Sequence, residues 1–228
     1  MAGLAETTAM PKVITFLSSL LQRVAESNDI SHQLHPQKIS IFHGLTRPAI
    51  SIQNYLERIF KYANCSPSCF VVAYVYLDRF AQRQSCLPLD SFNVHRLLIT
   101  SVLISVKFMD DIGFKFDDPT DEFIFFSSST ILDMSPDIRY YNNAFYAKVG
   151  GISTREMNLL EVDFLFGLGF QLNVTPATFH LYCSYLQRDM WIQSPLRIVE
   201  TPLNIARPLK THCCFNEDES TRQKQLTV

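Results

Sequence analysis

The sequence predicts an all-α protein, and three observations support that prediction. Glycine is scarce, at 7 of 228 residues, and no series of alternating apolar and polar segments suggests successive strands. Apolar residues instead recur at helical spacing along much of the chain. Hydrophobic residues make up 47% and charged residues 18%, which excludes general disorder. A chain of this length allows one domain with extensions or, at most, two small domains.

The first two predicted helices are amphipathic. The apolar face of the first contains Val13, Phe16, Leu17, Leu20, Leu21 and Val24. After a loop at 43–48, the second has an apolar face of Ile52, Tyr55, Leu56, Ile59, Phe60 and Ala63. Charged residues occupy its opposite face, so both helices are expected to pack with one side against a core.

Two further helices are apolar on almost all sides, which predicts that both are buried. Ser66 and Pro67 supply a cap and a first-turn proline for the helix that continues through 69–81. The next helix runs from Asn93 to Met109 and is expected to be central. Its apolar run, 97–109, is too short to span a bilayer.

Two later helices have clear start signals. Ser153 and Glu156 form a capping box that opens a helix to about Phe166, which is expected to end among Gly167 and Gly169. The apolar face of this helix contains Met157, Leu160, Phe164 and Leu168. Thr175 and Pro176 open the last predicted helix, in which Phe179, Tyr182 and Leu186 follow at helical spacing.

The sequence offers no constellation of catalytic residues. It has no glycine-rich phosphate loop, no HExxH and no GxSxG motif. The nearest metal-like groups are Cys65 with Cys69, His180 with Cys183, and residues 212–214, and none has a second half at zinc-finger spacing. We expect reduced, mostly packing cysteines in a soluble intracellular protein that is not an enzyme and needs no cofactor or metal.

Two charged residues occupy unexpected positions. Lys107 lies near the end of the apolar central helix, and Glu161 emerges beside the packed face of the capping-box helix. A lysine there must reach solvent or find a polar partner. On the residues alone, the ordinary explanations are favoured: a lysine attracted to a helix C-terminus and a glutamate at a boundary.

The predicted helices resemble the cyclin box, and the match is to plant P-type cyclins, also called U-type. The matching segments are SIQNYLERI at 51–59, CSPSCF at 65–70, YLDRF at 76–80, NVHRLLIT at 93–100, VKF at 106–108, YYNNAFYAKVGGI at 140–152 and EVDF at 161–164. The resemblance covers about residues 10–112 and 140–190. It implies a single five-helix cyclin box with flanking N-terminal and C-terminal helices.

The resemblance also implies a partner and a set of site residues. Cyclins bind and activate a cyclin-dependent Ser/Thr protein kinase and have no activity of their own. A lysine at the end of the third box helix and a glutamate on the fifth grip the kinase, and the matching positions are Lys107 and Glu161. Asp78 and Arg79 match a structural Asp-Arg dipeptide whose aspartate holds the cyclin's helices together. The arginine that many cyclins place early in the first box helix has no clear counterpart, since Arg47 lies before Pro48 and Gln53 occupies the helix.

The predicted organisation is a helical extension at 1–47, a cyclin box at 48–190 and a partly disordered tail at 191–228. An insertion at 113–139, which we interpret as a retained intron or alternative exon, interrupts the box. It contains six acidic and two basic residues, a net charge of −4. The whole chain has a net charge of −2, so it has no overall basic field for nucleic acid.

Beyond the kinase, we expect no nucleic-acid or membrane partner and a monomeric chain. The expected location is the nucleus and cytoplasm, and the expected process is cell-cycle or phosphate signalling. Two alternatives stay open. One is a cyclin-fold DNA or protein adaptor resembling a basal transcription factor, and the other is a small thiol or metal enzyme built on the scattered Cys and His residues.

Overall fold

The computed structural model describes residues 11–32, 39–63, 65–112 and 142–193. Within these residues the chain forms helices and no strands, which confirms the all-α prediction. The helices are α1 (Lys12–His32), α2 (Ile52–Ala63), α3 (Pro67–Arg83), α4 (Val94–Ile112), α5 (Asn143–Gly150), α6 (Thr154–Leu168) and α7 (Pro176–Gln193). The five helices α2 to α6 form the predicted box, with α1 and α7 on its flanks.

Local start signals in the sequence explain where α6 and α3 begin. The Ser153 hydroxyl accepts a hydrogen bond from the Glu156 backbone N–H at 3.1 Å, as the capping box predicts. The return bond of the box does not form, because the Glu156 carboxylate pairs with Arg96 of α4 at 2.5 Å. Ser66 occupies the N-cap of α3 without a side-chain cap bond, so Pro67 is the start signal that operates there.

The predicted central helix, α4, is the core of the bundle. It packs against α2, α3, α5 and α6, and its apolar residues between positions 97 and 104 are buried on every side. Three buried hydroxyl groups on α4 remain satisfied because each donates to a backbone carbonyl of the same helix, at 2.7 to 2.8 Å: those of Thr100, Ser101 and Ser105. The helix can therefore be buried all round without unpaired hydroxyls.

The N-terminal helix α1 belongs to the same core. It packs against α2, α3 and α7 through the fully buried side chains of Ile14, Leu17 and Leu21. At its far end the Asn28 amide donates to the Leu89 carbonyl at 2.8 Å, which fixes α1 to the loop before α4. The amphipathic pattern predicted that one face of this helix packs, and Val13, Leu17 and Leu21 of that face are buried.

Helix α6 approaches α3 closely because position 167 is glycine. A Cβ atom at Gly167 would lie 2.3 Å from Phe80 Cε2, a distance that no packed side chain tolerates. The Phe80 ring in turn stacks on Phe164 at a centroid separation of 4.7 Å. The helix ends at Leu168, and Gly169, with a φ of +58°, is its C-cap, in agreement with the predicted end among Gly167 and Gly169.

Several predictions concern residues outside those described. The insertion at 113–139, residues 194–228 of the tail, and Cys213 and Cys214 all fall there. Among the described cysteines none forms a disulfide; Cys69 and Cys183 are buried, while Cys86 is exposed. Within the described residues no group of three metal-ligating side chains occurs, and no helix is long and apolar enough to cross a membrane.

Candidate partner-binding site

Lys107 and Glu161 form an ion pair across two helices of the box. Lys107 Nζ of α4 lies 2.5 Å from Glu161 Oε1 of α6, with the two side chains 37% and 16% exposed. The helix continues to Ile112, three residues beyond the predicted end at Met109. Lys107 is therefore more than one turn from the C-terminus of the helix, so the helix dipole has little effect on it. The lysine is held by a carboxylate, and the pair lies at the molecular surface.

A third residue connects both members of the pair. The Asn143 Oδ1 atom accepts from Lys107 Nζ at 2.7 Å, and Asn143 Nδ2 donates to Glu161 Oε2 at 2.5 Å. The same amide nitrogen donates to Asn158 Oδ1 at 2.8 Å. Asn143 is the first residue of α5, so three helices of the box meet at this charged site. The sequence alone gave no reason to select Asn143.

Helix α6 also carries a row of exposed apolar side chains. Leu159, Val162 and Phe166, at helical spacing, are 57%, 50% and 69% exposed, and Phe170 just beyond the helix is 58% exposed. We refer to these four residues as the α6 stripe. Exposed apolar side chains that form a contiguous patch are typical of interaction sites, and the stripe is a candidate for one. The sequence already indicates the α6 stripe, since α6 has apolar residues on its exposed face as well as on its buried face.

Phe170 in the α6 stripe has a strained backbone. Its φ is 57°, the only positive value for a residue other than glycine among the described residues. A bulky residue in the left-handed region costs on the order of 1–2 kcal/mol. The N–H of Phe170 donates to the Leu165 carbonyl at 3.0 Å, and its ring packs edge-on against Phe166 at 5.3 Å. These contacts place the exposed Phe170 ring against Phe166 at the end of α6.

Asp78 and Arg79 lie in a separate place and bind elements of the chain itself. The fully buried Asp78 carboxylate of α3 accepts from the Tyr182 hydroxyl of α7 and from Gln82 Nε2 at 2.7 Å. Its other oxygen has no hydrogen-bond partner among the described residues, and burial raises the pKa of Asp78. Arg79 donates to the Gln171 carbonyl at 2.8 Å. The two residues connect α3 to α7 and to the segment after α6.

A family model described as Cyclin matches residues 11–117 and 130–172, which is well over half of the chain. The chain belongs to the cyclin family. The unmatched residues 118–129 lie within the segment that the sequence predicts as an insertion. The box of five helices with flanking helices, predicted from the resemblance, is confirmed.

Comparison with curated proteins narrows the group. Cyclin-U4-1 of Arabidopsis thaliana is 57% identical over 227 residues, covering 99% of this chain and 96% of the relative. Cyclin-U4-2 of the same plant is 52% identical over 221 residues, covering 96% and 90%. Cyclin-P4-1 of Oryza sativa subsp. japonica is 50% identical over 216 residues, covering 92% and 86%. The chain is a cyclin of the plant P-type or U-type group, and its role is that of a cyclin regulatory protein.

Proposed function

We propose that this cyclin binds a cyclin-dependent Ser/Thr protein kinase and raises its activity. The observation that supports the proposal is the Lys107–Glu161 ion pair, which occupies the positions that grip the kinase in cyclins and is partly exposed. Glu161 lies on α6, the helix that also carries the α6 stripe. The role of these two residues in binding is a prediction; their side chains are partly exposed, at 37% for Lys107 and 16% for Glu161.

The ion pair and the α6 stripe suit different tasks in binding. Exposed aromatic and aliphatic side chains give most of the binding free energy when a partner covers them, and Phe166 and Phe170 are the largest of the α6 stripe. Charged groups fix the orientation and exclude wrong partners. The proposed occupant is the kinase's mobile helix together with its neighbouring loop. Docking would shift that helix toward the state in which the kinase's catalytic lysine–glutamate pair closes.

The proposal also covers the catalytic activity, cellular process, location and oligomeric state of this cyclin. The cyclin acts without phosphotransfer activity of its own, in agreement with the lack of a phosphate-binding loop in its sequence. Its process is cell-cycle or phosphate signalling, and its location is the nucleus and cytoplasm. Outside the complex with the kinase it is a monomer.

Kinase capture followed by calorimetry tests the proposal. The tagged chain is used to capture a kinase from plant tissue, and the identified kinase is then purified and titrated with wild-type chain, Phe166→Ser and Leu181→Ser. Leu181 is a matched control, since it is also an exposed apolar residue but lies on α7. We expect Phe166→Ser to weaken binding by tenfold or more, on the order of 1–2 kcal/mol, and Leu181→Ser to have no effect.

Two results would count against the proposal. Failure of the wild-type chain to bind any purified cyclin-dependent kinase would remove the function itself. Equal affinities for the wild type and Phe166→Ser would remove the α6 stripe from the interface and leave binding to another surface.

A further inference from the structure

We propose that Asn143 is a positioning residue that holds Lys107 and Glu161 in the geometry used for binding. The inference rests on the proposed function for its purpose, but its physical content concerns the chain alone. Asn143 contacts both members of the ion pair and belongs to neither of their helices. It therefore joins α5 to the α4–α6 contact at the one point where the two charges meet.

An asparagine suits this position because its amide carries an acceptor and a donor on one short side chain. The oxygen lies 2.7 Å from the Lys107 ammonium and the nitrogen 2.5 Å from the Glu161 carboxylate. The opposite amide orientation would place N–H against an ammonium and oxygen against a carboxylate, so the two charges fix the orientation. Ala would supply neither bond, and Asp would keep the acceptor while losing both donors.

The two oxygens of Glu161 have different partners, which defines the carboxylate plane. Oε1 accepts from Lys107, and Oε2 accepts from Asn143. Without Asn143 the carboxylate keeps one charged partner and can rotate about that contact. Hydrogen bonds to charged groups are among the stronger ones in proteins, so this loss of orientation has a measurable effect.

The residue next to Asn143 provides a matched control. Asn142 is the N-cap of α5, and its side chain accepts from the Phe145 backbone N–H at 3.0 Å. Asn142→Ala therefore weakens the start of the same helix without touching the ion pair. Asn143 itself occupies the first helical position, where an acidic residue favours the helix through its dipole. A residue that only stabilised α5 would thus tolerate Asn143→Asp well.

The first experiment uses the chain alone. The coupling between Lys107→Met and Glu161→Gln is measured by urea unfolding in the wild-type and Asn143→Ala backgrounds, in a double-mutant cycle. We expect the coupling to fall to less than half in the Asn143→Ala background. An unchanged coupling would overturn the inference, whether or not the chain binds a kinase.

The second experiment adds the purified kinase used above. We expect Asn143→Ala and Asn143→Asp each to bind about tenfold more weakly than wild type, and Asn142→Ala to bind like wild type after correction for any unfolded fraction. Wild-type affinity in both Asn143 variants would overturn the inference. If the wild type itself does not bind, the proposed function fails, and the coupling measurement alone decides whether Asn143 positions the pair.

Discussion

Exchanging the two charges of the ion pair separates stability from binding. Lys107 Nζ and Glu161 Oε1 are 2.5 Å apart at a partly exposed site. At that distance the Coulomb energy lies between about 2 kcal/mol in water and about 7 kcal/mol at the effective dielectric constant of a protein surface. Desolvation and side-chain ordering offset much of this, which leaves a net contribution of about 1–2 kcal/mol. Reversing one charge replaces attraction by repulsion and is expected to cost about 2–4 kcal/mol.

That cost is smaller than the total stability of an ordinary domain, about 5–15 kcal/mol, so the single variants are expected to fold. Lys107→Glu and Glu161→Lys should each lower the melting temperature by about 5–15 °C. The double variant restores an opposite-charge pair and should recover most of that stability. It presents the reversed charge pattern to a partner, however, so its kinase binding should stay weaker than wild type by about 2–5 kcal/mol.

Circular dichroism melts and calorimetric titration of one purified kinase measure the two effects side by side. The reasoning would be refuted by a double variant that binds the kinase as well as the wild type does. Unfolding of both single variants would instead show that the two residues are structural, and the assignment to the interface would lose its support.

Three other changes test separate parts of the molecule. Because burial raises the pKa of Asp78 above 3.8, its protonated form favours folding. As the pH rises from 3.8 to the folded-state pKa, the free energy of unfolding of the wild type should therefore fall relative to that of Asp78→Asn, by about 1.4 kcal/mol for each pH unit. Urea unfolding that shows the same pH dependence for both proteins would contradict this. Gly167→Ala should lower stability by about 1–3 kcal/mol through the clash with Phe80, whereas a raised melting temperature would show that the helix relaxes. Deleting residues 113–139, with their net charge of −4, should strengthen kinase binding measured by calorimetry. Equal affinities of the full chain and the deletion variant would show that the segment does not affect binding.

Local signals predicted most of the fold because each helix depends on neighbours in sequence. The apolar face of Met157, Leu160, Phe164 and Leu168 is buried as its spacing predicts, and the Ser153 cap forms. The central position of α4 followed from its uniformly apolar surface. The end of α4 was less accurate, since the helix continues to Ile112, three residues past the predicted Met109.

Contacts between distant residues were much harder to predict. The Glu156 side chain leaves its capping box for Arg96, 60 positions earlier, because a charged partner competes with a backbone N–H. Asn143 meets Lys107 and Glu161, which are 36 and 18 positions away, and nothing in the local pattern distinguishes it from Asn142. The family resemblance selected Lys107 and Glu161, but only the fold shows that they contact each other.

The most direct test of the central claim is the activity of a purified cyclin-dependent kinase titrated with this cyclin. We expect no phosphate transfer by the cyclin alone, low activity of the kinase alone, and a rise that saturates as the complex forms, measured on a Ser/Thr peptide substrate. The account would be contradicted by a kinase that binds the chain and shows no gain in activity, or by ATP hydrolysis by the chain with kinase rigorously absent.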